Sequence, residues 1–203
     1  RAGGIWALED MTQYHVVERE PLRIQHRGYR LVTAPPPSSG GVALAQMFNV
    51  LSGYDYPAMA PVARTHLLVE TMRRAYRDRA QFLGDPDFVD VPLARMLSQD
   101  YAAGLRASIH PARATPSDLL PPISQLPAKP DTTHFSIVDA QGNLAAVTQT
   151  VNLSFGNAFA VPGTGFVLNN EMDDFSAAPG VPNAFGLIGD AANEIAPGKR
   201  PLS

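Results

Sequence analysis

DTTHFSIVDAQGNLAAVTQTVN, residues 131–152, decides how the chain is read. Strand-forming residues flank Asp139-Ala140-Gln141-Gly142-Asn143 on both sides, the pattern of two strands folded back on one another. The central residues have the chemistry of a three-residue hairpin loop, with Gly142 in the left-handed position of a bulge. On that register Asp139 pairs with Asn143, and Thr132 lies opposite Thr150 with both side chains on one face, about 5 Å apart. Asn152, two residues further on, points to the same face of a continuing strand. A two-residue loop would slip the register by one and bring Thr133 opposite Thr150 instead. The bland alternative is that threonine stands here only because it suits a strand.

Outward from the hairpin, residues 110–130 hold Pro121-Pro122, Pro127 and Pro130 without sustained periodicity, and read as an exposed linker. Residues 21–33 are rich in strand formers around Gly28 and read as a short strand pair or a bent strand, stopped by Pro35-Pro36-Pro37. Ser38-Ser39-Gly40-Gly41 then supplies N-cap candidates. The helix they open is expected over 41–53, with Leu44, Met47, Phe48 and Leu51 on its apolar face. A second helix is expected over 61–83, ended by Gly84, with Val69, Met72, Tyr76, Ala80 and Leu83 as its apolar stripe. Its Glu70–Arg74 and Arg74–Asp78 pairs are expected on the opposite, solvated face. A third helix is expected over 92–108, and the chain beyond Phe175 reads mostly as loop.

Composition narrows the function classes. The chain has 203 residues, 45% hydrophobic and 17% charged, enough apolar material for a sizeable core. A net charge of −3 and a pI near 5.9 argue against nucleic-acid binding. No apolar run reaches the roughly 18 residues of a membrane span. With no cysteine, disulfides, thiolate catalysis and cysteine zinc sites are all excluded. The histidines (15, 26, 66, 110, 134) lack HxxxH-type spacing. A G-x-S-x-G elbow is missing, and Gly163-Thr164-Gly165 is followed by Leu168 rather than the glycine of a dinucleotide fingerprint. Both ends lack a closing apolar element, so the chain is expected to be a piece of something longer.

Several blocks carry a family resemblance. TTHFSIVD (132–139), FVLNNEMDDFS (166–176), PGVPN (179–183) and GKRPLS (198–203) resemble the small-subunit signatures of the γ-glutamyltransferase family. APPPSSGG (34–41) and YRDRAQFLGDPDF (76–88) resemble its large-subunit signatures, in the same order. The resemblance implies an α+β fold, a four-layer αββα sandwich of the N-terminal-nucleophile type that is incomplete in this chain. It also implies a precursor that cuts itself between Asp131 and Thr132. Residues 1–131 would be the C-terminal part of a large subunit and 132–203 the N-terminal part of a small one. A threonine hydroxyl is a poor nucleophile without a base. Cleavage would give Thr132 a free α-amine, whose pKa near 7.7–8.0 suits it to that task.

Roles follow residue by residue from the same resemblance. Thr132 is the nucleophile and Thr150 the threonine that hydrogen-bonds it. Asn152, Glu171 and Asp174 hold the substrate's α-amino and α-carboxylate ends, and Ser203 contacts the carboxylate. Outside the resemblance, Asp173-Asp174 reads as a helix-capping pair, and Glu171 and Asn152 as surface polars. His134 shares the face of Thr132 on an extended strand, but the family uses the terminal amine as base, so it is read as structural. Residues 179–190 match a lid loop, with Phe185 where family members often carry a tyrosine. Without that hydroxyl a wider range of γ-linked acyl groups is expected. The implied reaction is γ-glutamyl transfer from glutathione or a related donor to water or an amino-acid or peptide acceptor. No cofactor, metal, nucleic acid or membrane is implied, and the compartment would be periplasmic or secreted. The alternatives are a cephalosporin (glutaryl) acylase of the same superfamily and an inactive, unprocessed or truncated product with a structural role. The arginine that clamps the carboxylate and the glycine pair of the oxyanion hole fall outside the sequence, so these residues alone are expected to be inactive.

Overall fold

The computed structural model describes residues 4–120, 132–184 and 186–203. Asp131, Phe185 and residues 121–130 of the proline-rich linker lie outside those ranges.

A short helix α1, Leu8–Gln13, opens the described chain. Asp10 closes its first turn by accepting the Ala7 N–H at 2.8 Å. Strands β1 (Leu22–His26) and β2 (Tyr29–Thr33) pair antiparallel with His26 opposite Tyr29. Arg27 and Gly28 turn the chain with φ of 49° and 84°, the left-handed pair that a two-residue hairpin demands. Helix α2 runs Gly40–Leu51 and α3 runs Pro61–Phe82. The third expected helix is two: α4, Leu93–Met96, and α5, Gln99–Ala107. Ser98 breaks them apart, extended at ψ 151° and accepting the Tyr101 N–H to start α5. Strands β3 (Thr133–Val138) and β4 (Leu144–Gln149) form the second hairpin. Its register runs from Thr133 opposite Gln149 to Val138 opposite Leu144, that of the three-residue loop. Gly142 has φ 84°, and Asp139 Oδ1 accepts the N–H groups of Gln141 and Asn143.

Two helix faces are rotated from the expected ones. On α3 the solvated face is the buried one: Glu70, Arg74 and Asp78 are at most 1% exposed, while Val69, Met72 and Tyr76 are 40–47% exposed. These charges are buried because they are paired. Arg74 Nη1 donates to Glu70 Oε2 at 2.7 Å, its Nε to Ser108 Oγ at 2.7 Å, and its Nη2 to Ser108 O and Thr115 Oγ1. Asp78 takes its hydrogen bonds from Gln46 of α2 at 2.8 Å and from its neighbour Arg77 at 3.1 Å rather than from Arg74. On α2 the buried residues are Val42, Ala43, Ala45, Gln46 and Val50, and Leu44 is 42% exposed. Small side chains let α2 approach its neighbours: a Cβ on Gly41 would lie 2.6 Å from the Ala34 carbonyl oxygen. Gly84 has a similar reason, since a Cβ there would meet the Ala192 carbonyl at 2.0 Å.

Val42, Leu83, Met96 and Leu202 make one core cluster, and Val50, Ala102 and Leu105 another. Leu202 thus buries a residue from the chain's last segment among residues of its first half. Hairpin β3–β4 is exposed along both strands, including Phe135, Ile137 and Val147. A hairpin with both faces in water is marginal by itself. Among the described residues no helix is long and apolar enough to cross a membrane.

Burial alone would raise the Glu70 carboxyl, but bonds from Thr115, Arg74 and Arg73 outweigh it and hold it at about 2. Glu70→Gln is therefore expected to lower stability by about 3 kcal/mol at pH 7, because Arg74 would be left without its counter-charge. A folded pKa below the unfolded 4.5 means the carboxylate's contribution is present above that value and lost as pH falls toward 2. Urea midpoints of the two proteins should converge over that window.

Candidate active site

The end of the second hairpin brings the hydroxyls together. Thr132 Oγ1 donates to Thr150 Oγ1 at 3.2 Å, and Thr150 Oγ1 also accepts the Asn152 N–H at 2.9 Å. Strand β4 stops at Gln149, so Asn152 is not placed by strand alternation as expected. It sits at φ 73°, 5% exposed, with its Nδ2 donating to the Asn170 carbonyl at 3.1 Å. Asn170 Oδ1 in turn accepts the Leu153 N–H at 3.1 Å. This exchange pins Asn170, the residue before Glu171, against the 151–153 turn.

The arm between them folds back through the Ala160–Val167 bridge and the Asn157 N–H to Leu168 carbonyl bond. Gly156 makes that return possible. Its φ is 54° and an added Cβ would lie 2.0 Å from the Leu168 carbonyl oxygen.

Glu171–Asp174 is a single 3-10 turn. Neither Asp173 nor Asp174 caps a helix: Asp173 accepts the Ala184 N–H, fixing the loop that follows, and Asp174 faces Glu171. Burial, then the charge of Glu171 and a bond with it, push the Asp174 carboxyl up to about 6. Glu171 Oε1 is buried with no hydrogen-bond partner among the described residues. Two crowded carboxyls, one short of a partner, suit an incoming ammonium, which would favour ionisation of both.

Ser203 is held by its backbone. Its carbonyl accepts the Ser39 N–H and, at 2.7 Å, the Ser39 hydroxyl, and its N–H donates to the Pro37 carbonyl. Ser39 stands at the start of α2 without capping it. The expected capping role gives way because its hydroxyl is taken by Ser203 and by Arg79 Nε at 2.9 Å. His134 has its ring nitrogens against Thr148 Oγ1 at 2.8 Å and Ser136 Oγ at 3.4 Å.

Three residues matter here that sequence reading passed over. Asn193 donates to the Asp174 carbonyl at 2.7 Å and accepts the Leu202 N–H at 3.0 Å, joining the acidic turn to the segment of Ser203. Asp85, fully buried, accepts the Arg200 N–H at 2.9 Å and pairs with Arg19 at 3.2 Å. Arg79 lines, with Asp174 and Asn193, a cavity that Asn183, Leu187, Ile188 and Gly189 also line. Of the three, Arg79 and Asp85 lie inside the 76–88 block already singled out, whereas Asn193 stands in a loop without periodic signal. Asp131 and Phe185 lie outside the described residues, so the cleavage bond and lid tip have no geometry here.

The α+β fold sets the Thr132 hydroxyl, just before β3, against that of Thr150, and the solved structures it resembles are of the N-terminal-nucleophile class. The gamma-glutamyltranspeptidase family matches residues 1–203, and the chain belongs to that family. It is 47% identical over 203 residues to a glutathione hydrolase proenzyme of Pseudomonas sp. (strain A14), covering 99% of this chain and 35% of that protein. It is 41% identical over 202 residues to an acylase ACY 1 proenzyme of Pseudomonas sp. (strain V22), covering 98% and 34%. The cephalosporin acylase of Bacillus halodurans superposes with a TM-score of 0.76 at 26% identity, over 98% of this chain and 33% of that one. The chain spans about a third of the length of the curated relatives it matches.

Carboxyl-carbon NMR should find Asp174 titrating near pH 6. Glu171→Gln removes the neighbouring charge and is expected to bring that midpoint down toward the ordinary 3.8; an unmoved midpoint would assign the shift to burial alone.

Proposed function

We propose that the protein carrying this chain is a γ-glutamyltransferase and glutathione hydrolase acting through a γ-glutamyl ester on Thr132. The observation that carries the reading is the Thr132–Thr150 hydroxyl contact at the start of β3. In the proposed reaction the precursor cuts itself between Asp131 and Thr132, separating residues 1–131 from 132–203. The released Thr132 amine takes the hydroxyl proton as Oγ1 bonds to the γ-carbonyl carbon. Collapse of the tetrahedral intermediate breaks the carbon–nitrogen bond, and the proton leaves with the amine. Water or an amino-acid or peptide amine then attacks the ester and restores the Thr132 hydroxyl.

Thr150 holds the nucleophile's oxygen in line. Asn152, Glu171 and Asp174 take the donor's amino-acid end, with Ser203 at its carboxylate. The acidic turn supports this assignment, since a glutaryl group lacks the ammonium that two carboxyls would bind. A glutaryl acylase is the second reading, favoured by the likeness to an acylase ACY 1 proenzyme. The large and small subunits would stay paired after cleavage, and the site of action would be periplasmic or secreted. Phe185 in the lid is proposed to admit bulky γ-linked groups, and rates on glutathione and on a bulky γ-glutamyl amide compare directly.

Intact mass under denaturing conditions should show two pieces, one beginning Thr-Thr-His-Phe, and Thr132→Ala should stay a single inactive chain. Thr150→Val is expected to lower kcat about 100-fold. Release from glutaryl but not γ-glutamyl substrates would move the assignment to the acylase.

A further inference from the structure

Asp174 is surrounded by more than its own turn. Glu171 and Asp173 face it from the same 3-10 segment, and Arg79 faces it from the C-terminal end of α3, with Tyr76 beside that arginine. Ser176 and Asn193 complete the wall with uncharged groups. Arg79 is held in place at its Nε by the Ser39 hydroxyl at 2.9 Å. That same hydroxyl donates to the Ser203 carbonyl at 2.7 Å. One guanidinium therefore bears on both ends of the site: it lines the cavity with Asp174, and it steadies the serine that anchors the segment of Ser203.

We propose, resting on the γ-glutamyl reading above, that Arg79 is a positioning residue for the donor's amino-acid end. It holds the Asp174 carboxyl ionised for the ammonium and, through Ser39, fixes Ser203 for the carboxylate. The guanidinium acts on Asp174 through its field. Burial, Glu171 and Asp173 raise the Asp174 carboxyl, and Arg79 is the cation that pulls the other way. Removing it leaves three carboxyls crowded together without that opposing charge, so Asp174 stays protonated to higher pH. Arg79 also lies on the large-subunit side of the proposed cut, so the two halves would share the recognition of one substrate end.

The test is made in the full-length protein, with cleavage checked by mass. Arg79→Gln should raise KM for γ-glutamyl p-nitroanilide about 5-fold at pH 7, with kcat little changed, since charge-assisted grip is lost and chemistry is not. The acid limb of kcat/KM should move up by about 1 pH unit. Arg79→Lys keeps the charge and loses the Nε bond, and Ser39→Ala removes the hydroxyl; each should raise KM while leaving the acid limb in place. Equal falls in kcat with an unmoved limb for Arg79→Gln would overturn the proposal. So would unchanged KM in both Arg79→Lys and Ser39→Ala, which carry the test by themselves if Arg79→Gln does not fold. An unsubstituted protein without γ-glutamyl release would overturn the functional reading and this inference together. An active unsubstituted protein with unresponsive variants would overturn the inference alone.

Discussion

Among the described residues Arg74 is the largest side chain left less than 2% exposed, and a buried guanidinium is tolerable only if its charge and donors are answered. Glu70 answers the charge from one turn away, and Ser108 and Thr115 answer the remaining donors. Those partners lie on α3 and on the segment after α5, so satisfying one residue locks a helix to a stretch of irregular chain. It also fixes the rotation of α3. With Glu70, Arg74 and Asp78 turned inward, Arg79 near the helix end is carried toward Ser39 and Asp174 rather than into bulk water.

From that orientation the later loops are assembled on α3 largely through backbone bonds. The Asp190 N–H donates to the Ala80 carbonyl, Gly84 gives way to the Ala192 carbonyl, and Asp85 takes the Arg200 N–H. Leu202 enters the core beside Val42, Leu83 and Met96. Residues on either side of the 131/132 bond thus belong to one packed unit. Cutting that bond would remove a covalent link without removing any of these contacts.

The site divides by how far apart its parts are in sequence. The hydroxyl pair is a local product of hairpin register: once Gly142 closes a three-residue loop, Thr132 and Thr150 must meet. Asp174 gets its character from three separated elements, the turn it sits on, Arg79 of α3 and the Asn193 loop. Asn152 shows the boundary between the two cases. It was assigned to the hairpin's face by alternation, but the strand ends first and a left-handed residue hands its amide to Asn170.

By itself the sequence determined what short-range geometry controls: the second hairpin and its loop type, the strand character of residues 21–33, the extents of α2 and α3 within a residue or two, and the family through its ordered blocks. Only the tertiary structure decided which faces are inside. A charged stripe on a helix normally faces water, and nothing local announces that Glu70, Arg74 and Asp78 will find partners on α2 and on residues 108–115. The same holds for Ser39, which has the chemistry of a cap and spends its hydroxyl on Arg79 and Ser203, 40 and 164 residues away. Burial of a polar group depends on partners that long-range packing supplies, and periodicity carries no record of them.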